Sequence, residues 1–125
     1  MKVKCIKIIN SMTGESETIN NWLTIGKTYT VLTMSFGIMT SVEKILYLSC
    51  QSDDNLTPIL FNADQFVTVD DKIPSNWAVL LDESGNLNMA PRKWLRPGFW
   101  EDYFNFDPEA ERHFESELAK IIEES

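Results

Sequence analysis

The chain is poor in the residues from which most active sites are assembled. It holds one histidine, His113, in 125 residues. A Ser-His-Asp or Cys-His arrangement would have to be built on that single imidazole, which lies in an acidic stretch, and no GxSxG sequence accompanies it. Cysteine is equally scarce. Cys5 and Cys50 fall in separate strand-like runs, too few for a disulfide scaffold; a buried free thiol at each is expected, with a disulfide left open should the two strands pair. No apolar run approaches membrane-spanning length, and the opening MKVKCIKIIN is too short and too charged for a secretory leader, so the expected compartment is the cytoplasm. Without export, the glycosylation pattern Asn55-Leu56-Thr57 is idle. Basic residues are few as well, 11 against 19 acids for a net charge of −8. That balance argues against nucleic acid as a partner and favours steering onto a basic protein, although acids also simply keep a small protein soluble.

The negative charge is unevenly spread. Residues 1–52 carry +2 and 53–83 carry −6, then 84–98 carry +3 and 99–125 carry −7. Two acidic blocks thus flank a basic island, Arg92, Lys93 and Arg96. Beside that island lies the densest aromatic stretch, PRKWLRPGFWEDYFNFD at 91–107, with Trp94, Phe99, Trp100, Tyr103, Phe104 and Phe106. So much ring area in so short a piece predicts a latch that fixes a C-terminal segment onto a core. Positions 99, 100, 103 and 104 repeat at helical spacing, with Glu101 and Asp102 turned away. A break at Asn105 and a restart at Asp107-Pro108, a capping residue followed by a first-turn proline, predict a second helix over 108–123. Its apolar face would hold Ala110, Phe114, Leu118, Ile121 and Ile122.

Upstream the chain reads as short strands. Residues 2–9 alternate lysine with β-branched residues and predict one strand; 23–26 lead into KTYTVLTMS, where the apolar face switches near Leu32 and implies a bulge or bend. Further strands are expected at 45–50, 58–61, 66–69, 77–81 and 87–89, the last two joined by a hairpin with Gly85 in the left-handed position. At 125 residues this is one domain, a sheet or barrel over about 1–90 with a helical latch over about 91–125. The fold class is mainly β (α+β): a small antiparallel barrel or curved sheet, a short aromatic helix and a C-terminal amphipathic helix.

Tests for chemistry end in ordinary structural readings. Gly26-Lys27-Thr28 resembles the end of a phosphate-binding loop, but Asn21 stands where the leading glycine belongs and a strand follows, so no helix N-terminus would receive the phosphates. His113 has Glu109 and Glu117 four residues to either side; this is one flank of a solvated helix rather than a metal site. The pairs Asp53-Asp54, Asp70-Asp71, Asp82-Glu83 and Glu101-Asp102 are sequence neighbours, not carboxylates opposed across a cleft, and general acid–base work needs the latter. No catalytic residue, metal or cofactor is expected. The basic island is expected to pair with acids of the C-terminal helix. Trp22 belongs to a loop, Trp77 heads a strand, and one or two of the four tryptophans suit an interface.

Two resemblances follow from these residues. LTIGKTYTV at 23–31, the acidic turn at Asp53-Asp54 and FNADQFVTV at 61–69 resemble an SH3-like small barrel, with Asp-Asp-Asn where such barrels usually turn on Asp-Gly. The whole chain, through its size, charge and the PxxWxxPGFWEDYF stretch before an acidic helix, is similar to the immunity proteins of bacterial toxin–immunity systems of the contact-dependent growth inhibition type. That resemblance implies a non-enzymatic, cytoplasmic inhibitor, monomer or homodimer, that binds a cognate toxin domain, a basic nuclease by preference. The residues expected to meet the toxin are Asp53, Asp54, Asp70, Asp71, Asp82 and Glu83, then Glu101 and Asp102. The alternative is an SH3-like adaptor or structural module of phage type that binds a peptide or protein.

Overall fold

The computed structural model describes residues 1–10, 12–37 and 43–125. Its strands are β1 (Lys2–Cys5), β2 (Ile8–Ile9), β3 (Ser16–Glu17), β4 (Thr28–Thr30), β5 (Thr33–Gly37), β6 (Ile45–Gln51), β7 (Pro58–Asn62), β8 (Phe66–Asp70), β9 (Trp77–Leu81) and β10 (Leu87–Pro91). Two helices follow, α1 (Phe99–Phe104) and α2 (Pro108–Glu124), and 3-10 turns occupy Ala63–Gln65 and Arg92–Trp94. All strand pairs are antiparallel. They form a three-stranded sheet β4-β1-β8, a five-stranded sheet β7-β6-β5-β10-β9 and the small ribbon β2-β3. The fold is therefore the expected mainly β, α+β arrangement, built of small antiparallel sheets and two helices; among the described residues no ladder closes the strands into a barrel.

The first strand stops earlier than alternation predicts. Gln65 interrupts it: its backbone carbonyl accepts from the Ile6 and Lys7 N–H groups, and its side-chain Oε1 accepts from Ile9 N–H at 2.9 Å. A buried amide from a distant turn thus replaces a ladder partner and splits residues 2–9 into β1 and β2. Residues 23–26 form no strand, and Gly26 takes a left-handed φ of 91° there. The expected change of face near Leu32 is present. Val31 and Leu32 are both buried, yet Val31 enters a core with Val3, Cys5, Tyr29, Leu48, Cys50, Phe61 and Phe66, whereas Leu32 enters a second core with Ala90, Trp94, Phe99 and Phe114. Trp77 is half-buried and packs against both. Both cysteines are buried and unpaired. Burial pushes the Cys50 thiol up to about 12, and Asp53 reinforces the effect.

The aromatic latch has Trp94 at its centre. Phe114 stacks on it with ring centroids 5.1 Å apart, Trp100 meets it edge-on at 5.6 Å, and its indole N–H donates to the His113 carbonyl at 3.2 Å. Asp107 caps α2 through a bond from Ala110 N–H to Oδ2 at 2.9 Å. One face of α2 then buries Ala110, Phe114, Glu117 and Ile121. Ile122, expected in that stripe, is 51% exposed. The α-helical repeat of 3.6 turns it outward and brings Glu117 inward instead.

Phe106 also departs from the expected latch. It ends α1 in the left-handed region at φ 63°, its N–H donating to the Tyr103 carbonyl and the Asp107 N–H to the Asp102 carbonyl. This is the helix-terminating pattern that glycine usually serves, and here the ring projects into solvent.

Two stability measurements check these assignments. Trp94→Ala is expected to cost about 3–5 kcal/mol in urea unfolding, as for other buried aromatic truncations. Phe106→Gly is expected to gain roughly 0.5–1 kcal/mol, the left-handed penalty less the entropy of an added glycine. A loss there would mean the ring packs in solution.

Candidate protein-binding surface

The five-stranded sheet offers its two faces to different environments. Leu48, Cys50 and Phe61 point into the first core, so the pleat sends their neighbours to the other side. There Thr33 stands opposite Ser49, and Ser35 opposite Asn88 on β10. The Thr33 and Ser49 hydroxyls lie 2.6 Å apart, and Ser35 donates to Asn88 Oδ1 at 3.0 Å. These groups floor a groove of about 400 Å³, walled by Pro58 and Leu60 of β7 and by Trp94, Leu95, Trp100 and Phe104. The hydroxyls are tied to each other or to an amide, and none of the described lining residues is acidic, basic or a cysteine. What this arrangement can do is seat an apolar side chain over a polar floor.

The eight expected contact carboxylates do not share one patch. Asp53 and Asp54 sit in the turn between β6 and β7, at the end of the sheet where β5 begins; Asp82 and Glu83 sit in the β9–β10 hairpin, at the opposite end. Asp70 lies on the other sheet, opposite Lys2, with Asp71 just beyond. Glu101 and Asp102 are on α1.

Their engagement differs too. Asp53 is held by the Lys27 ammonium at 2.5 Å, the Thr24 hydroxyl at 2.7 Å and the Tyr29 hydroxyl at 3.0 Å. Asp102 pairs with Arg96 at 2.9 Å. Asp54, Asp70 and Asp82 accept short-range bonds within their own turns, Asp54 from the Ser52 hydroxyl and Asn55 N–H, Asp70 from Lys72 N–H, Asp82 from Ser84 and Asn86 N–H. Together with Asp71, Glu83 and Glu101 they form no ion pair among the described residues.

Other expectations are resolved by the same geometry. His113 Nε2 is 3.9 Å from Glu109, but Glu117 turns inward to accept from the Asn76 amide at 2.8 Å and to meet Lys120 at 3.4 Å. The three do not converge, and among the described residues no group of three His, Cys, Asp or Glu side chains is arranged to hold a metal. The basic island does not pair with α2 as expected: Arg96 turns to Asp102 and lies over the Phe99 ring, because α1 follows it within one turn of chain. Arg92 and Lys93 stay exposed beside Trp94. No described helix is long and apolar enough to cross a membrane.

Sequence reasoning missed the groove floor. The signal was present in the hydroxyl residues at alternate positions 33 and 35, matched by Ser49, which mark a polar sheet face; they read as ordinary strand residues because nothing local says that a helix will wall them in. No protein-family model, curated protein or solved structure matches the chain.

Asp53 gives a pH dependence that can be measured. Burial opposes its ionisation, but the hydrogen bonds from Lys27, Thr24 and Tyr29 and the Lys27 charge outweigh it, leaving the carboxyl below its ordinary 3.8. A carboxylate depressed in the folded state stabilises at pH above its unfolded value and loses that contribution as pH falls through the folded one. Asp53→Asn should therefore lower stability at pH 7, with the gap to the parent closing as pH is taken below 3.8. A pH-independent gap in denaturant titrations would mean the ionised form is not favoured.

Proposed function

We propose that this chain is a non-enzymatic binding protein, an immunity protein that holds and neutralises a cognate toxin domain, with a basic nuclease as the target. The observation that carries the reading is the state of the carboxylates. Six of the eight, Asp54, Asp70, Asp71, Asp82, Glu83 and Glu101, form no ion pair among the described residues, in a protein of net charge −8. Carboxylates outside ion pairs, in turns, at a strand end and on α1, raise the encounter rate with a positive surface, and they do so from several sides of the molecule at once. Asp53 and Asp102, taken up by Lys27 and Arg96, contribute less to that field and more to holding their own loops.

Steering sets the on-rate; apolar anchors slow the escape. The groove supplies them. Glu101 shares α1 with the wall residues Trp100 and Phe104, and Asp54 lies in the turn that leads to the wall residue Pro58, so each wall belongs to an element that also carries an unpaired acid. A toxin surface with an apolar side chain set among lysines or arginines fits this combination. The groove also favours a second reading, an SH3-like adaptor that takes a peptide there without electrostatic help.

Asp70→Asn/Asp71→Asn keeps the turn acceptor for Lys72 N–H and removes both charges. Against a toxin domain captured by the parent protein, with the product of the adjacent upstream gene tried first, the double variant is expected to associate about tenfold more slowly at low salt and with a flatter salt dependence. Unchanged affinity and slope would remove this pair from the interface. Salt-insensitive binding that Leu60→Ala, on the exposed wall of the groove, abolishes would favour the adaptor.

A further inference from the structure

We infer that β9 is a self-association edge, through which two copies of this chain pair antiparallel across Trp77–Leu81. β9 lies at the rim of the five-stranded sheet and, among the described residues, pairs only with β10. The Asp82 N–H donates to the Asn86 carbonyl, so strand alternation turns the backbone groups of Leu80 and Ala78 toward β10 and those of Leu81 and Val79 outward. Among the described residues no strand meets them. Their side chains are open as well, Val79 at 64% and Leu81 at 67% exposure.

Sheet rims are normally blunted by proline, by charge or by a short length. Here β7, the other rim of the same sheet, begins on Pro58, and β8 ends on Asp70, with Asp71 and Lys72 following. β9, of the same length, has neither proline nor charge within it, being Trp-Ala-Val-Leu-Leu throughout. The run is also complementary to itself. Pairing about Val79 sets Trp77 against Leu81 of the second copy and Ala78 against Leu80 of the second copy, apolar on apolar at every step. The same two-fold sends the two Asp82-Glu83 hairpins to opposite ends of the joint, so that in a chain of charge −8 like charges do not meet there. This symmetry favours a second copy over an unrelated strand.

In the paired state the Val79 N–H and carbonyl groups exchange bonds across the axis, and each Leu81 N–H reaches a Trp77 carbonyl. The Trp77 N–H is already given to Pro74. A joint one short strand long falls below the roughly 1,200 Å² of a stable interface, so the dimer is weak and concentration-dependent. It lies on a different rim from the groove and does not depend on what the groove binds.

Sedimentation velocity of the full chain from about 10 µM to about 1 mM covers the range of such weak contacts. The parent is expected to shift from monomer to dimer. Val79→Pro, which deletes an outward N–H that β10 does not use, and Val79→Lys, which keeps the backbone and sets two charges face to face on the axis, should each weaken the dimer at least about tenfold. Val67→Lys on β8 should leave it intact. A parent that stays monomeric throughout, or a dimer that survives both Val79 variants, overturns the inference.

Discussion

Two consecutive buried residues, Val31 and Leu32, set the terms for the whole molecule. They are the two-residue link between β4 and β5, and their side chains enter different cores, so one short run must supply both. The three-stranded sheet closes on Val31 from one side; the latch of Trp94, Phe99 and Phe114 closes on Leu32 from the other. Neither core can be dismantled without unseating the residue beside it. Trp77, which packs against both, is a second tie of the same kind.

That arrangement explains why the sheet has a groove. The inner face of β5–β6–β7 is spent on the first core. The outer face would be open to water, and its Thr33, Ser35, Ser49 and Asn88 suit water, but α1 arrives from the latch and lays Trp100 and Phe104 along one side. Trp100 is tied into the latch through Trp94 and Phe114, so of the two groove-facing rings it is the more exposed Phe104 that is left to serve something other than stability. The division of the carboxylates follows similar logic. Asp53 and Asp102 are consumed by Lys27 and Arg96, whereas Asp70, though opposite Lys2 in the ladder, and the remaining acids form no ion pair among the described residues.

Much of the fold was legible because its signals are local. The β9–β10 hairpin announces itself through Gly85, which takes a φ of 82°, and the α1–α2 break through Asp107-Pro108. What stayed illegible depends on distant partners. Nothing near residues 2–9 shows that Gln65 will break the strand, and nothing near Arg96 ranks Asp102 above the acids of α2. The helical stripe on α2 was read one position too wide at Ile122 because composition favours isoleucine over glutamate for a buried site, while the actual choice was made by Asn76. The acidic pairs could be counted but not placed; that Asp53 and Asp82 occupy opposite ends of one sheet is a matter of strand order.

The inward turn of Glu117 has its own consequence. An amphipathic helix packed by aliphatic side chains alone is free to slip along its groove by a turn, since one leucine replaces another at small cost. A carboxylate carried into the interior cannot slip so cheaply, because it would leave behind the amide of Asn76 and the ammonium of Lys120 that compensate it. Glu117 thus acts as a key cut for one lock, selecting a single seating for α2 and, through Phe114, a single orientation for the Trp94 ring beneath it.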